Sequence, residues 1–297
     1  MRSPQPPSLL VFGGPYSNLR ALAALRGRAD ALGIDATHVI CTGDVVAYCA
    51  EPEETIGAIR DWGCRVVAGN CEEQLAAGAD DCGCGFAEDT ACDRAAKDWF
   101  SFADRRVGAD SRRWMAGLPR SLAFVFGGWR FRVVHGGSRQ INRFVFASDR
   151  AAIAEELDAA KAEIVVAGHC GLPFIRKLGG SVWFNPGVIG IPANDGTAQV
   201  WFGLVAVEDD ALVLSTHRLD YDHDGAAAAT RAAGHADGYA AALLTGLWPS
   251  LDVLPAQERA LTGRPLAETV LRLPLKPGAG AAPCDVEAVH DRELPPE

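Results

Sequence analysis

Thr37-His38-Val39-Ile40-Cys41-Thr42-Gly43-Asp44 is an apolar run that stops abruptly at a glycine and a carboxylate. Val39, Ile40 and Cys41 read as a short buried strand, and Asp44 stands just past its carboxyl end. Three other apolar runs end in the same way. Val66 to Ala68 meets Gly69-Asn70, Phe131 to Val134 meets His135-Gly136, and Ile164 to Ala167 meets Gly168-His169. In open α/β sheets, polar residues beyond the carboxyl ends of the strands converge on one crevice, so Asp44, Asn70, His135 and His169 are expected to share a site.

Outward from that stretch the first seventy residues alternate between strand and helix. Leu9 to Phe12 is a strand broken at Gly13-Gly14-Pro15, and Asn18 is placed to cap a helix from Leu19 to about Leu32. A second helix runs from Pro52 to Trp62, and the alternation favours a parallel sheet. From Cys71 to Gly85 the pattern stops, and glycines, Asp80-Asp81 and Cys82-Gly83-Cys84-Gly85 read as a loop. Helices follow at about Ala91 to Arg106 and Ser111 to Leu118. Leu122 to Phe126 and Trp129 to Val134 flank Gly127-Gly128 as a hairpin. After a helix from Asp149 to Ala162, two more hairpins are expected, Pro173 to Phe184 around Gly179-Gly180 and Gln199 to His217 around Glu208-Asp209-Asp210. This shift toward antiparallel pairing predicts two sheets packed face to face. Gly225 to Leu244 reads as helix interrupted at Gly234 and Gly238, with another helix over Leu251 to Thr262. The expected organisation is one domain over residues 1–275, a core at 8–220 with a helical region at 221–275, and a disordered tail at 276–297.

Composition narrows the function. A chain of 297 residues with 48% hydrophobic and 22% charged residues can bury a core without staples. A formal charge of −10 argues against broad binding to a nucleic-acid duplex or an anionic membrane. The apolar run after the polar, proline-rich start is too short for a membrane span, so a cytoplasmic protein is expected, and a small phosphorylated molecule remains allowed as its partner if a cation sits in the pocket. Nine cysteines, most of them in the first third, read as thiols in a reducing compartment. Cys82, Cys84 and Cys92 lack CxxC spacing and are taken as loop thiols, whereas Cys71 and Cys170 each follow a candidate ligand.

One carboxylate, one amide carbonyl and two imidazoles form a mixed oxygen and nitrogen donor set suited to a divalent cation such as Mn, Fe, Zn or Mg. The order GD, GN, HG, GH resembles the calcineurin-like metallophosphoesterase superfamily, whose motifs run DxH, GDxxx, GNH(D/E), H and GHxH. Asn185-Pro186-Gly187 and Tyr221-Asp222 resemble its bacterial branch related to diadenosine tetraphosphatases and small phosphodiesterases. The resemblance implies a four-layer α-β-β-α sandwich of two mixed sheets and a phosphatase or phosphodiesterase activity. It assigns Asp44, Asn70, His135 and His169 as ligands of one ion, with Asp44, Asn70, His135 and Cys71 as catalytic positions. The DxH motif falls on Gly14-Pro15-Tyr16 and the final histidine of the last motif on Gly171, so the ligands of the first of the family's two metal sites are missing. The histidine that serves the leaving group falls on Cys71. Arg139 and Arg143 are candidates for gripping a substrate phosphate. A relative that binds or senses a phosphorylated ligand or nucleotide without turnover is the alternative expectation.

Overall fold

The computed structural model describes residues 8–234, 237–276 and 287–289. In chain order the elements are β1 (Ser8–Phe12), α1 (Leu19–Ala31), β2 (Val39–Cys41), α2 (Pro52–Trp62), β3 (Arg65–Val66), α3 (Asn70–Ala77), α4 (Ala91–Asp104), α5 (Ala109–Ala116), β4 (Ser121–Phe126) and β5 (Trp129–Val134). They continue with α6 (Arg150–Ala160), β6 (Ile164–Ala167), β7 (Phe174–Leu178), β8 (Ser181–Asn185), β9 (Val200–Glu208), β10 (Ala211–Leu219), α7 (His223–Ala233), α8 (Asp237–Thr245), α9 (Ala256–Arg259), β11 (Val270–Pro274) and β12 (Glu287–Val289).

The strands form two mixed sheets flanked by helices, as the motif order implies. One runs β11-β10-β9-β1-β2-β3 and the other β12-β4-β5-β6-β8-β7. β1 and β2 pair in parallel with Val11 opposite Ile40, and β5 and β6 pair in parallel with Val133 opposite Val166. Their carboxyl ends therefore lie side by side within each sheet.

Period-two alternation decides which residues fill which layer. Leu9 and Val11 of β1 point between the sheets and join Ile40, Val133, Val166 and Phe184 in a central core. Leu10 and Phe12 point the other way, toward α1 and α2, where Leu22, Leu25, Ile56 and Ile59 meet them. On the far side of the second sheet, Val165 and Trp183 pack on Ile153 and Leu157 of α6. Each fully buried aliphatic or aromatic side chain stabilises the fold by roughly 1.5–3 kcal/mol, so residues on both faces of these strands lock the register.

Local signals explain the helix ends. Asn18 accepts the Ala21 N–H at 3.1 Å, and Asp149 accepts that of Ala152 at 2.9 Å. Pro52 opens α2 and Gly63, at φ 73°, closes it in the left-handed region that favours glycine. The structure corrects three expectations. The segment after Asn70 is not loop throughout, because α3 extends to Ala77 before Gly78 stops it. Between Leu251 and Thr262 only Ala256–Arg259 is α-helical. Within the expected tail, Glu287–Val289 pairs with β4, while residues 277–286 and 290–297 of that tail lie outside the described residues. Among the described residues no helix is long and apolar enough to cross a membrane.

Candidate metal centre

The four strand-tip residues meet. Asp44 follows β2, Asn70 begins α3 after β3, His135 follows β5 and His169 follows β6, so each sheet contributes two. His135 Nε2 lies 3.1 Å from Asn70 Oδ1, 3.0 Å from His169 Nδ1 and 3.3 Å from Asp44 Oδ2. All four side chains are buried.

Hydrogen bonding behind these atoms decides what they can hold. His135 Nδ1 is 2.7 Å from the Thr42 carbonyl, which can only accept, so Nδ1 carries a proton. Asn70 donates its Nδ2 to the Cys82 carbonyl at 2.8 Å, which turns Oδ1 inward. Lone pairs from a carboxylate, an amide and a second imidazole therefore crowd the remaining nitrogen of His135. A single proton on Nε2 serves at best one of those acceptors fully, whereas a cation serves all of them. Donors about 2.1 Å from a shared ion and at right angles to one another are about 3 Å apart, close to the spacings found here. The donor set fits a divalent cation, and the Thr42 carbonyl is the kind of outer partner that fixes a ligand histidine's tautomer.

The electrostatics agree. Burial opposes ionisation of Asp44, but the charge and hydrogen bond of His135 outweigh it and hold the carboxyl below its ordinary value. Burial likewise works against charge on His135, yet the Asp44 carboxylate raises its pKa overall. Burial and the neighbouring charge of His135 push His169 down to about 3, which leaves it a neutral donor.

Backbone strain is concentrated at this place. Asp44 at φ 55°, His169 at φ 51° and Tyr16 at φ 51° all adopt left-handed conformations uncommon for non-glycine residues. Glycines let the strand tips touch. A Cβ on Gly69 would lie 2.2 Å from Asp44 Oδ1, and one on Gly168 would lie 2.3 Å from Thr42 Oγ1.

The chain belongs to the calcineurin-like phosphoesterase superfamily. Its residues 18–210 match the family model for the calcineurin-like phosphoesterase superfamily domain. Among solved structures, a metallophosphoesterase from Sphaerobacter thermophilus has 20% identity and a TM-score of 0.64, covering 81% of this chain and 99% of its own. A hypothetical protein from Pyrococcus horikoshii OT3 has 19% identity and a TM-score of 0.68 over the same shares of the two chains. At such identities the two likenesses establish the fold. No curated protein matches the chain.

The place where the family's DxH motif falls in this chain is filled by aromatic rings. A Cβ on Gly14 would lie 2.1 Å from Cε1 of Tyr16, so the tyrosine ring covers the place a side chain at position 14 would take. A Cβ on Gly171 would approach the indole of Trp248 at 3.4 Å. Cys71 donates its N–H to Asp44 Oδ1 at 3.3 Å, and its thiol is 3.6 Å from Asn70 Nδ2. Burial, then the charges of Asp44 and Glu72, raises that thiol's pKa well above its usual value, which leaves it neutral. Cys170 sits beneath Asn185, whose Nδ2 is 3.1 Å from its sulfur, and burial pushes its pKa up to about 12.

Arg139 and Arg143, the candidates for a substrate phosphate, differ in their surroundings. Arg143 is committed to Glu155 at 2.6 Å and to the buried Glu156 at 2.9 Å, tying the loop after His135 to α6, and Arg139 is exposed. Cys82 and Cys84, expected as free thiols, are joined by a disulfide, since the single Gly83 between them at φ 62° brings their Cα atoms to 5.3 Å. Their loop also supplies the carbonyl that orients Asn70.

Sequence reasoning missed Glu72. Its carboxylate, fully buried, accepts the N–H groups of Asp44 at 2.7 Å, Val45 at 2.8 Å and Gly69 at 2.9 Å. Burial, then the charge of Asp44, raises its pKa to about 7. A glutamate three residues after a glycine at a strand-to-helix turn was the available signal, because that spacing reaches back to the helix's first free N–H.

Proposed function

We propose that this chain is a phosphoric ester hydrolase that works with one divalent cation held by Asp44, Asn70, His135 and His169. The observation that carries the reading is the convergence of Asn70 Oδ1, His169 Nδ1 and Asp44 Oδ2 on His135 Nε2, all within 3.3 Å. When bound, such an ion polarises a phosphoryl oxygen and makes water more acidic.

The protein's own residues do the rest by placement. Thr42 and Cys82 hold His135 and Asn70 in donor orientation through their carbonyls. Asn185 donates to the Gly168 carbonyl at 2.8 Å and fixes the turn that presents His169. Phe144 lies against the His169 ring, centroids 4.2 Å apart, and keeps bulk water from that side. Preset side chains of this kind lower the reorganisation needed as charge develops on the phosphoryl oxygens.

The test is elemental analysis of the purified chain together with hydrolysis of p-nitrophenyl phosphate and bis(p-nitrophenyl) phosphate in the presence of Mn, Fe, Zn or Mg. One equivalent of metal with turnover, both lost in Asn70→Ala, is the expected outcome. A chain that takes up no metal removes the proposal.

A second reading, in which the site binds a phosphorylated ligand without turnover, draws on Cys71. A neutral thiol stands at the position the family gives to the histidine that serves the leaving group, and a thiol with a raised pKa is a poor proton donor at neutral pH. Metal uptake without hydrolysis of either ester favours this reading.

A further inference from the structure

Beside His169 a cavity of about 250 Å³ opens between the loops after β1 and β2 and the segment after α8. One wall is a cluster of tyrosines. Tyr48 stacks on Tyr239 with centroids 4.4 Å apart and meets Tyr16 edge-on at 4.8 Å. The lining also includes Phe144, which packs against His169, with Phe86 at 5.9 Å from it. Trp248 borders the cavity near Gly171, and its indole N–H is already donated to the Pro192 carbonyl at 2.7 Å.

The chemistry of this lining is selective. Among the described residues its lining includes no lysine, arginine, aspartate or glutamate, although His169 places the cavity directly against the metal centre. A second or third phosphate would enter without a lysine or arginine of that lining to meet it, which is costly against a chiefly apolar surface. A nucleobase would bring several polar ring edges, and apart from the hydroxyls of Tyr16, Tyr48, Tyr239 and Ser250 the described lining is chiefly aromatic rings, small apolar residues and cysteine sulfur, with no amide side chain. A flat apolar ring between aromatic walls meets favourable stacked or edge-on contacts. The volume lies at the small end for ligand sites and suits a ring system rather than a long chain or a dinucleotide.

Building on the reading of this centre as a phosphoesterase, we infer that the substrate carries one phosphoryl group esterified to a flat, uncharged aromatic alcohol, whose ring occupies this cavity. The ring's contacts place its phosphoryl group at His169 and the neighbouring ligands.

Binding of inert analogues tests this independently of leaving-group reactivity. Titration calorimetry of the metal-loaded chain compares (1-naphthylmethyl)phosphonate, methylphosphonate and adenosine 5′-monophosphate. The naphthyl compound is expected to bind on the order of tenfold or more tighter than either of the others, as the loss or mismatch of an aromatic contact implies. Equal binding of the two phosphonates, or tighter binding of the nucleotide, overturns the inference. Ala95, on α4, also lines the cavity, and Ala95→Trp is expected to fill it, abolishing the naphthyl preference while metal content stays at the wild-type level. Phe86→Ala, at a half-buried position, weakens binding of the naphthyl compound without filling anything and serves if the larger side chain prevents folding. 1-Naphthol, which has no phosphoryl group, probes the cavity without the ion. Saturable binding to metal-free protein supports the ring site even if the hydrolase reading fails, and absence of such binding counts against it even if the hydrolase reading stands.

Discussion

Glu72 holds Asp44 by the backbone rather than by the side chain. The N–H of Asp44 donates to Glu72 Oε2 at 2.7 Å, and the same carboxylate takes the N–H groups of Val45 and Gly69. Asp44 sits at φ 55°, so the turn that delivers its carboxylate is strained and needs this anchor. Removing it leaves several buried N–H groups without an acceptor. Glu72→Ala is therefore expected to cost on the order of 3 kcal/mol or more, the range for a charged acceptor and the donors it strands. Glu72→Gln retains one acceptor oxygen and turns an NH₂ toward donors, so it should lie between the alanine variant and wild type. Denaturant unfolding reads both, and a cost within about 0.5 kcal/mol for Glu72→Ala would show that the anchor is dispensable.

Two glycine-to-alanine substitutions should move stability in opposite directions. At Gly69 an added Cβ meets Asp44 Oδ1 at 2.2 Å and Asp44 N at 2.5 Å, and neither can retreat without breaking the turn. Gly69→Ala is expected to lose metal binding and to destabilise the fold. At Gly57, inside α2, the added Cβ meets nothing within 4 Å. Gly57→Ala should stabilise by about 0.5–1 kcal/mol, because alanine loses less backbone entropy in a helix. Melting curves of the pair, run with elemental analysis, check both halves.

The contrast between Gly57 and Gly69 also shows where linear reasoning works. Strand-to-helix alternation, Asn18 as a cap, Pro52 at a helix start and the two-glycine hairpin are local signals, and the structure follows them to within a few residues. The four strand tips are legible for the same reason, since each is an apolar run ended by a glycine or a histidine. α3 is not, because its buried side includes Asn70 and Glu72 as well as Leu75, so it lacks the apolar stripe that marks an amphipathic helix. Arg143 looks like a phosphate clamp in the chain, but Glu155 and Glu156, a dozen residues on, claim it in space. The cavity is the least legible feature. Tyr16, Phe86, Phe144, Tyr239 and Trp248 come from five separate segments, and no spacing rule connects them.

Metal uptake should be visible as stability. A ligand that binds only the folded chain stabilises it by about 2.7 kcal/mol at a hundred times its Kd. Addition of the competent divalent ion to metal-stripped protein is thus expected to raise the melting temperature, and a chelator should reverse the rise. His135→Ala removes the nitrogen on which the other donors converge, and it should abolish the ion-dependent rise even where the variant remains folded. A rise of wild-type size in His135→Ala would place the ion somewhere else.

The aromatic fill of the missing half-site can be reversed. Gly14→Asp alone should destabilise the fold, because its Cβ would lie 2.1 Å from the ring of Tyr16, which is packed against Gly190 and would have to swing into the cavity it borders. Replacing that ring removes the obstacle, so Gly14→Asp with Tyr16→His restores the family's DxH pattern and should fold better than Gly14→Asp by itself. Gly171→His completes the set. Its Cβ meets the Trp248 indole at 3.4 Å, ordinary contact, but φ is 74°, and a non-glycine residue there costs roughly 1–2 kcal/mol. Asp44 already stands on the shared side. The triple variant is therefore expected to bind two equivalents of divalent metal where wild type binds one, read by elemental analysis after gel filtration. If the triple variant folds and still carries a single equivalent, the loss of the first ion does not trace to Gly14, Tyr16 and Gly171, and some other feature of the Tyr16 and Tyr48 loops excludes it.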